Sequence, residues 1–226
     1  MTTRRLLCLV TDRRRLAASV GRAAGDASSL LIAQLEGAVR GGVDLVQIRE
    51  RDLEAGALAA MVRDALRIAA GTATRVIVND RIDVALAAGA DGVHLREASV
   101  DAAAVRRVWP SLTIGRSVHS RASVIGATAV DYWIAGTIFP TDSKAAAATL
   151  GCAGLAEVVR AAAGTPVLAI GGVTAGRLPE LVRAGATGLA AIGAFLPDRG
   201  EHDVAAAVEK RVATLRFAFD TASTVS

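Results

Sequence analysis

Aromatic side chains are nearly missing from this chain: four Phe, two Trp and one Tyr in 226 residues. Without stacking platforms it is not built to bind single-stranded nucleic acid. Cysteine is as scarce. Cys8 sits in an apolar run and Cys152 opens a helical pattern, so the pair makes neither a disulfide framework nor a metal motif. At a helix start the Cys152 thiol could be acidified, although an inert thiol is the simpler reading. No apolar run is long enough to cross a membrane, and Leu6–Val10 behind the basic start is too short for a secretion signal. The expectation is a cytoplasmic protein with neither nucleic acid nor membrane as partner. Lysine is almost absent too: only Lys144 and Lys210 stand among 26 basic residues. Two readings remain: chance, or a need for an ammonium in the polar cluster that holds Lys144.

What is abundant is small and aliphatic. Hydrophobic residues make up 52% of the chain, much of it alanine, so the core is Ala, Val, Leu and Ile. The net charge of +4, spread along the chain, suits a small anionic substrate. The length fits one domain over residues 1–226.

One grammar repeats eight times: a β-branched or leucine-rich run, a cluster of polar residues or glycines, then a helical pattern. The clusters are Thr11-Asp12, Arg49-Glu50-Arg51, Asn79-Asp80, the stretch after His94, Gly115 to Ser120, Thr141-Asp142-Ser143-Lys144, Gly171-Gly172 and Gly193. Alternating strands and helices predict a single-domain α/β (β/α)8 TIM barrel, with all eight clusters on one rim where such barrels place their chemistry. His119 is the one clear proton-transfer residue in that set. Arg49 and Arg51 suit a phosphate or carboxylate, unless Glu50 or Asp52 neutralises them. Asp80 serves as the N-cap of the next helix, as a metal ligand, or as both. His94, inside a strand, reads first as a packed histidine. The glycines after the seventh and eighth strands let backbone N–H groups approach a phosphate. Arg13 to Ser29 reads as a long surface loop, with a charged flap over the rim as the alternative. Ser120 reads as the cap of a helix ending by Ala129, and Lys210 as part of a solvated helix face.

Taken together, Gln47-Ile48-Arg49-Glu50-Arg51, Asn79-Asp80-Arg81, Asp91 to Leu95, Gly115 to Ser120, Phe139 to Lys144 and Ile170-Gly171-Gly172 resemble the superfamily of thiamine phosphate synthases and TenI-type thiazole tautomerases. The resemblance runs from about Leu6 to Phe195. It implies a barrel acting on a thiazole phosphate, and a homodimer. Substrate would be held by Arg49, Arg51, Asn79, Ser117, Thr141, Ser143 and Lys144. Phosphate would lie at Gly171, Gly172, Ile192 and Gly193.

The synthase pattern has Lys where this chain has Arg51, and Gly-Gln-x-Asp where it has Arg96-Glu97-Ala98-Ser99. Of the pattern's metal carboxylates only Asp80 remains, with Glu97 a conceivable replacement. These differences favour the tautomerase, an isomerase that aromatises a carboxylated thiazole phosphate with His119 as proton carrier and no cofactor. The alternative is the synthase, a transferase joining hydroxymethylpyrimidine pyrophosphate to thiazole phosphate, with Mg2+ at Asp80. A non-catalytic thiazole phosphate-binding protein is a third possibility.

Overall fold

A computed structural model describes residues 5–141 and 149–222. Its eight strands are β1 (Leu6–Val10), β2 (Leu45–Ile48), β3 (Arg75–Asn79), β4 (Gly92–Leu95), β5 (Thr113–Val118), β6 (Tyr132–Gly136), β7 (Val167–Ile170) and β8 (Gly188–Ala191). They pair in parallel and in chain order, and β8 closes on β1. Eight helices surround them: α1 (Arg13–Ser19), α2 (Ala27–Arg40), α3 (Ala55–Ala69), α4 (Ile82–Ala88), α5 (Ala102–Val108), α6 (Gly151–Ala161), α7 (Leu178–Arg183) and α8 (Val204–Thr221). This is the (β/α)8 barrel the alternation predicts. Among the described residues no helix is long and apolar enough to cross a membrane.

A repeated device closes the bottom of the barrel. Asp44, Asp91 and Asp131 immediately precede β2, β4 and β6. Their carboxylates accept from the N–H of Leu7, Val76 and Ile114 on the preceding strands, at 2.8, 2.7 and 2.7 Å. Thr187, before β8, does the same for Val167 at 2.8 Å. Each polar side chain satisfies a strand-end donor that would otherwise be orphaned, and so fixes the register of a strand pair.

Strand residues alternate between two cores. Leu7, Leu9, Val46, Ile48, Val76 and Val78 face the helices in the outer layer. Cys8, Val10, Leu45, Ile77, Tyr132, Ile134, Leu168 and Ala190 fill the barrel itself. The single tyrosine plugs the centre, and Gly115 makes room for it: a Cβ there would lie 2.1 Å from Tyr132 Cζ. Above the plug the interior turns polar. His94 is buried, its ring 5.7 Å from that of Tyr132 and its Nε2 2.8 Å from Ser117 Oγ. Burial pushes the His94 pKa down to about 3, against the opposing pull of Asp80.

Three expectations are corrected. Arg13 to Ser29 is not a loop: α1 starts at Arg13 because Asp12 Oδ1 accepts from Arg15 N at 3.0 Å, and because Arg13, Leu16 and Ala17 are buried. No helix joins β5 to β6 among the described residues. Ser120 Oγ instead caps a turn at Ser123 N, at 3.3 Å. Val124, Ile125 and Thr128 are poor helix formers, and Gly126 and Ala129 stand at φ +82° and +64°. Asp80 caps nothing. It sits at φ +60° and its carboxylate turns away from α4, whose N-cap is Arg81.

Gly37 marks the place where α2 packs on α8, since a Cβ there would sit 2.1 Å from the Ala205 carbonyl oxygen. Gly37→Ala would gain about 1 kcal/mol of helix propensity if the site were open. The overlap, worth about 1–3 kcal/mol in a packed core, outweighs it. Urea denaturation should therefore show net destabilisation, and a stabilised variant would contradict this packing. His94 gives a second prediction. The unfolded chain protonates this ring near 6.5 and the folded one only near 3. The contribution is complete above pH 6.5 and is lost as pH falls towards 3. Stability should drop by about 1.4 kcal/mol per pH unit below pH 6 from this residue. His94→Gln should flatten that slope between pH 6 and 5, and an unchanged slope would show that His94 does not titrate this way.

Candidate active site

The strand C-termini open into a cavity of about 1040 Å³, at the upper end of what ligand sites use. Its floor is made by inward positions of the strands: Gln47 of β2, Asn79 of β3, His94 of β4 and Ser117 of β5. Gln47 Nε2 donates to Asn79 Oδ1 at 2.9 Å. Gln47 Oε1 and His94 Nδ1 are buried with no hydrogen-bond partner among the described residues. His94 Nδ1 lies against the tyrosine plug, where a Cβ on Gly115 would sit 2.6 Å from it and 2.4 Å from Tyr132 Oη.

The wall is cationic. Arg49 and Arg51 line it, and neither is paired with Glu50 or Asp52. Arg13 has taken both acids. Its Nη1 lies 2.9 Å from Glu50 Oε2 and 2.7 Å from Asp52 Oδ1, and Asp52 Oδ2 is also 2.7 Å from Arg14. Arg49 is half-buried. Burial, and then the charge of Arg51, hold its pKa below the usual arginine value. The carboxylates of Asp12 and Glu50 pull the other way without reversing the shift.

The glycine turns lie opposite. Gly171 and Gly172 are at φ +98° and +64°, and a Cβ on Gly172 would come within 2.7 Å of the Pro140 carbonyl oxygen. Gly171 and Gly172 are therefore glycine for backbone reasons, whereas Gly193 has no positive φ to require it. Ile192 and Gly193 line the same cavity. Arg15 reaches over from α1, its Nη2 3.6 Å from where a Gly193 Cβ would be. Arg177 lines the cavity with its guanidinium 4.2 Å from the Phe139 ring. Thr141 lies on the wall, while Ser143 and Lys144 fall outside the described residues. Lys210 is exposed as expected, yet it also borders the cavity.

His119 stands at the mouth. Its Nδ1 is 2.6 Å from Glu97 Oε2, and Ser123 Oγ donates to Glu97 Oε1. Burial pushes the Glu97 carboxyl up, but hydrogen bonds from Ser123 and His119 outweigh it, and the group ends below the usual range. An imidazole braced by a carboxylate is suited to proton transfer. Cys152 shows no acidification, because burial raises its pKa.

The residues present do not fit a dedicated divalent-cation site. Both oxygens of Asp80 are engaged, Oδ2 by Arg96 Nε at 2.5 Å and Oδ1 by Ser99 Oγ. Glu97 is committed to His119 and Ser123 rather than joining Asp80. Among the described residues no three His, Cys, Asp or Glu side chains gather where a metal could be held.

Sequence reading found the rim residues but missed Arg15, Arg177 and the place of Gln47 and His94 in the cavity lining. The inward, period-two positions of Gln47 and Asn79 carried a usable signal. Nothing local marks Arg177, which reaches the cavity from the segment before α7.

The sequence profile of a family described as Thiamine monophosphate synthase matches residues 7–195. A putative thiamine-phosphate synthase of Geobacter sulfurreducens is 40% identical over 196 residues, which is 85% of this chain and 87% of that protein. The thiamine-phosphate synthase of Roseiflexus castenholzii is 38% identical over 200 residues, 85% of this chain and 82% of its own. Among solved structures, the thiamine phosphate pyrophosphorylase of Pyrococcus furiosus superposes with a TM-score of 0.78 at 28% identity, covering 97% of each chain. With the profile matching residues 7–195 and the relatives covering 85% of the chain, this chain belongs to the thiamine monophosphate synthase family.

Proposed function

We propose that this enzyme of thiamine biosynthesis is a transferase that joins a hydroxymethylpyrimidine pyrophosphate to a thiazole phosphate. The observation that carries the reading is the cationic wall: Arg49 and Arg51, stripped of their neighbouring carboxylates, face a cavity large enough for two substrates. The names of the relatives support the transferase over the isomerase favoured by the residue pattern alone.

In this reading the thiazole nitrogen gives its lone pair to the methylene carbon of the pyrimidine. The C–N bond forms as the C–O bond to pyrophosphate breaks, and the electron pair leaves on the pyrophosphate oxygen. Arg49 and Arg51 stabilise that growing charge, which is the electrostatic term that matters most when an anion departs. Gln47 and Asn79, whose amides lie on the cavity floor, take the nitrogen-rich edge of the pyrimidine. The phosphate of the thiazole rests at Gly171, Gly172, Ile192 and Gly193, beneath Arg15.

One observation favours the tautomerase as a second reading. The His119–Glu97 pair is arranged for proton transfer, and the transfer of a pyrimidine asks for no such base. In that chemistry His119 moves a proton from the ring carbon to the exocyclic carbon, while Arg49, Arg51 or Lys144 holds the substrate carboxylate.

A paired assay separates the two. The purified protein is given hydroxymethylpyrimidine pyrophosphate with thiazole phosphate, and in parallel the non-aromatic carboxylated thiazole phosphate. Thiamine phosphate should form well above the blank. Arg51→Gln should lower that rate by about a hundredfold, as loss of a preorganised transition-state contact does. His119→Gln should matter less. Turnover confined to the carboxylated thiazole, and abolished by His119→Gln, would install the tautomerase instead.

A further inference from the structure

Beside the main cavity lies a smaller one of about 280 Å³, lined by Glu50, Arg51, Asn79, Asp80, Arg81 and Arg96 among others. Its acids are spoken for. Glu50 is held by Arg13, and Asp80 by Arg96 and Ser99. Arg81 is paired with Asp83 at 2.6 Å. Arg51 has no such partner among the described residues, so the recess keeps a surplus positive charge.

Two departures from the synthase pattern meet in this recess. A carboxylate is lost, because Ser99 stands where the pattern has Asp. A cation is gained, because Arg96 stands where it has Gly. Two carboxylates and a divalent cation sum to zero, and so do one carboxylate and one guanidinium. The geometry ties the changes together. Arg96 N donates to Ser99 Oγ at 3.1 Å, Ser99 Oγ donates to Asp80, and Arg96 Nε reaches the other oxygen of Asp80 at 2.5 Å. An aspartate at 99 would set a second negative charge against Asp80 and break this ring. With Nε on Asp80, the two terminal amino groups of Arg96 have no partner among the described residues, and the side chain borders both cavities.

We propose that the Arg96 guanidinium, anchored on Asp80, takes the place of the divalent cation, so that this recess binds a pyrophosphate group without metal. Arg96 and Arg51 then form two forks around one polyanion, a geometry that guanidinium serves better than a lysine ammonium. The proposal rests on the transferase reading, since that reaction is the one that releases pyrophosphate.

The test is calorimetric titration of inorganic pyrophosphate into the full chain, once with EDTA and once with Mg2+. The affinities should agree within about twofold, and Arg96→Gln should weaken binding in EDTA by about tenfold or more, the usual effect of losing a charge-assisted contact. Arg96 is exposed, so this substitution leaves the fold intact. The double variant R96G/S99D should regain a metal requirement, binding at least about tenfold tighter with Mg2+ than with EDTA. Wild-type binding that needs Mg2+, an Arg96→Gln variant that binds as well as wild type, or a double variant indifferent to Mg2+ would each overturn the proposal. Thiamine phosphate formation, measured separately, keeps the two claims apart. Absent turnover with metal-free pyrophosphate binding sinks the transferase reading alone, and turnover with metal-dependent binding sinks the present inference alone.

Discussion

The buried fork between Arg13 and the loop after β2 governs the chemistry of the rim. Arg13 offers its backbone N–H and one terminal nitrogen to Glu50, and both terminal nitrogens to Asp52. The paired carboxylates hold its own charge more firmly, with Asp52 making the largest contribution, and Arg13 in turn keeps Asp52 ionised at lower pH than usual. A charge this deep is tolerated only because it is paired and hydrogen-bonded. The same contacts remove from the cavity the two acids that sequence places beside Arg49 and Arg51. One helix turn thus leaves Arg49 and Arg51 without an ion pair to either neighbouring acid.

The remainder of the site follows from how a closed barrel divides its interior. The lower half is dry and filled by aliphatic chains and one tyrosine; the upper half is polar but uncharged, because a buried His94 stays neutral at physiological pH. Charge is confined to the rim, where water and ligand can reach it. Arginines therefore line the mouth while amide and imidazole groups form the floor, on different layers of the same strands.

Much of this was legible in the sequence. Strand endings were, because each apolar run stops at a polar or glycine cluster; so were His119, Arg49, Arg51 and the glycine turns, because they occupy those clusters. What escaped depended on partners far along the chain. The Arg13-Arg14-Arg15 run looks like a loop until Glu50 and Asp52, 37 and 39 positions on, bury its first member. Ser120 has the chemistry of a helix cap, yet the β-branched residues and positive-φ turns after it allow only a turn. Asp80 has the chemistry of a metal ligand, and only the loop at 96–99 reveals that its oxygens are taken. Local rules found the elements; pairing of charges across strands decided what the elements do.

Arg13 holds Glu50 and Asp52 away from Arg49 and Arg51. Calorimetry of thiazole phosphate and pyrophosphate binding to Arg13→Gln, well below its melting temperature, tests this directly. The freed carboxylates should compete for the rim arginines and weaken pyrophosphate binding by about tenfold, a single ionic contact's worth, while adding Glu50→Gln and Asp52→Asn should restore it. Wild-type affinity in Arg13→Gln would show that Arg13 does not govern the rim arginines.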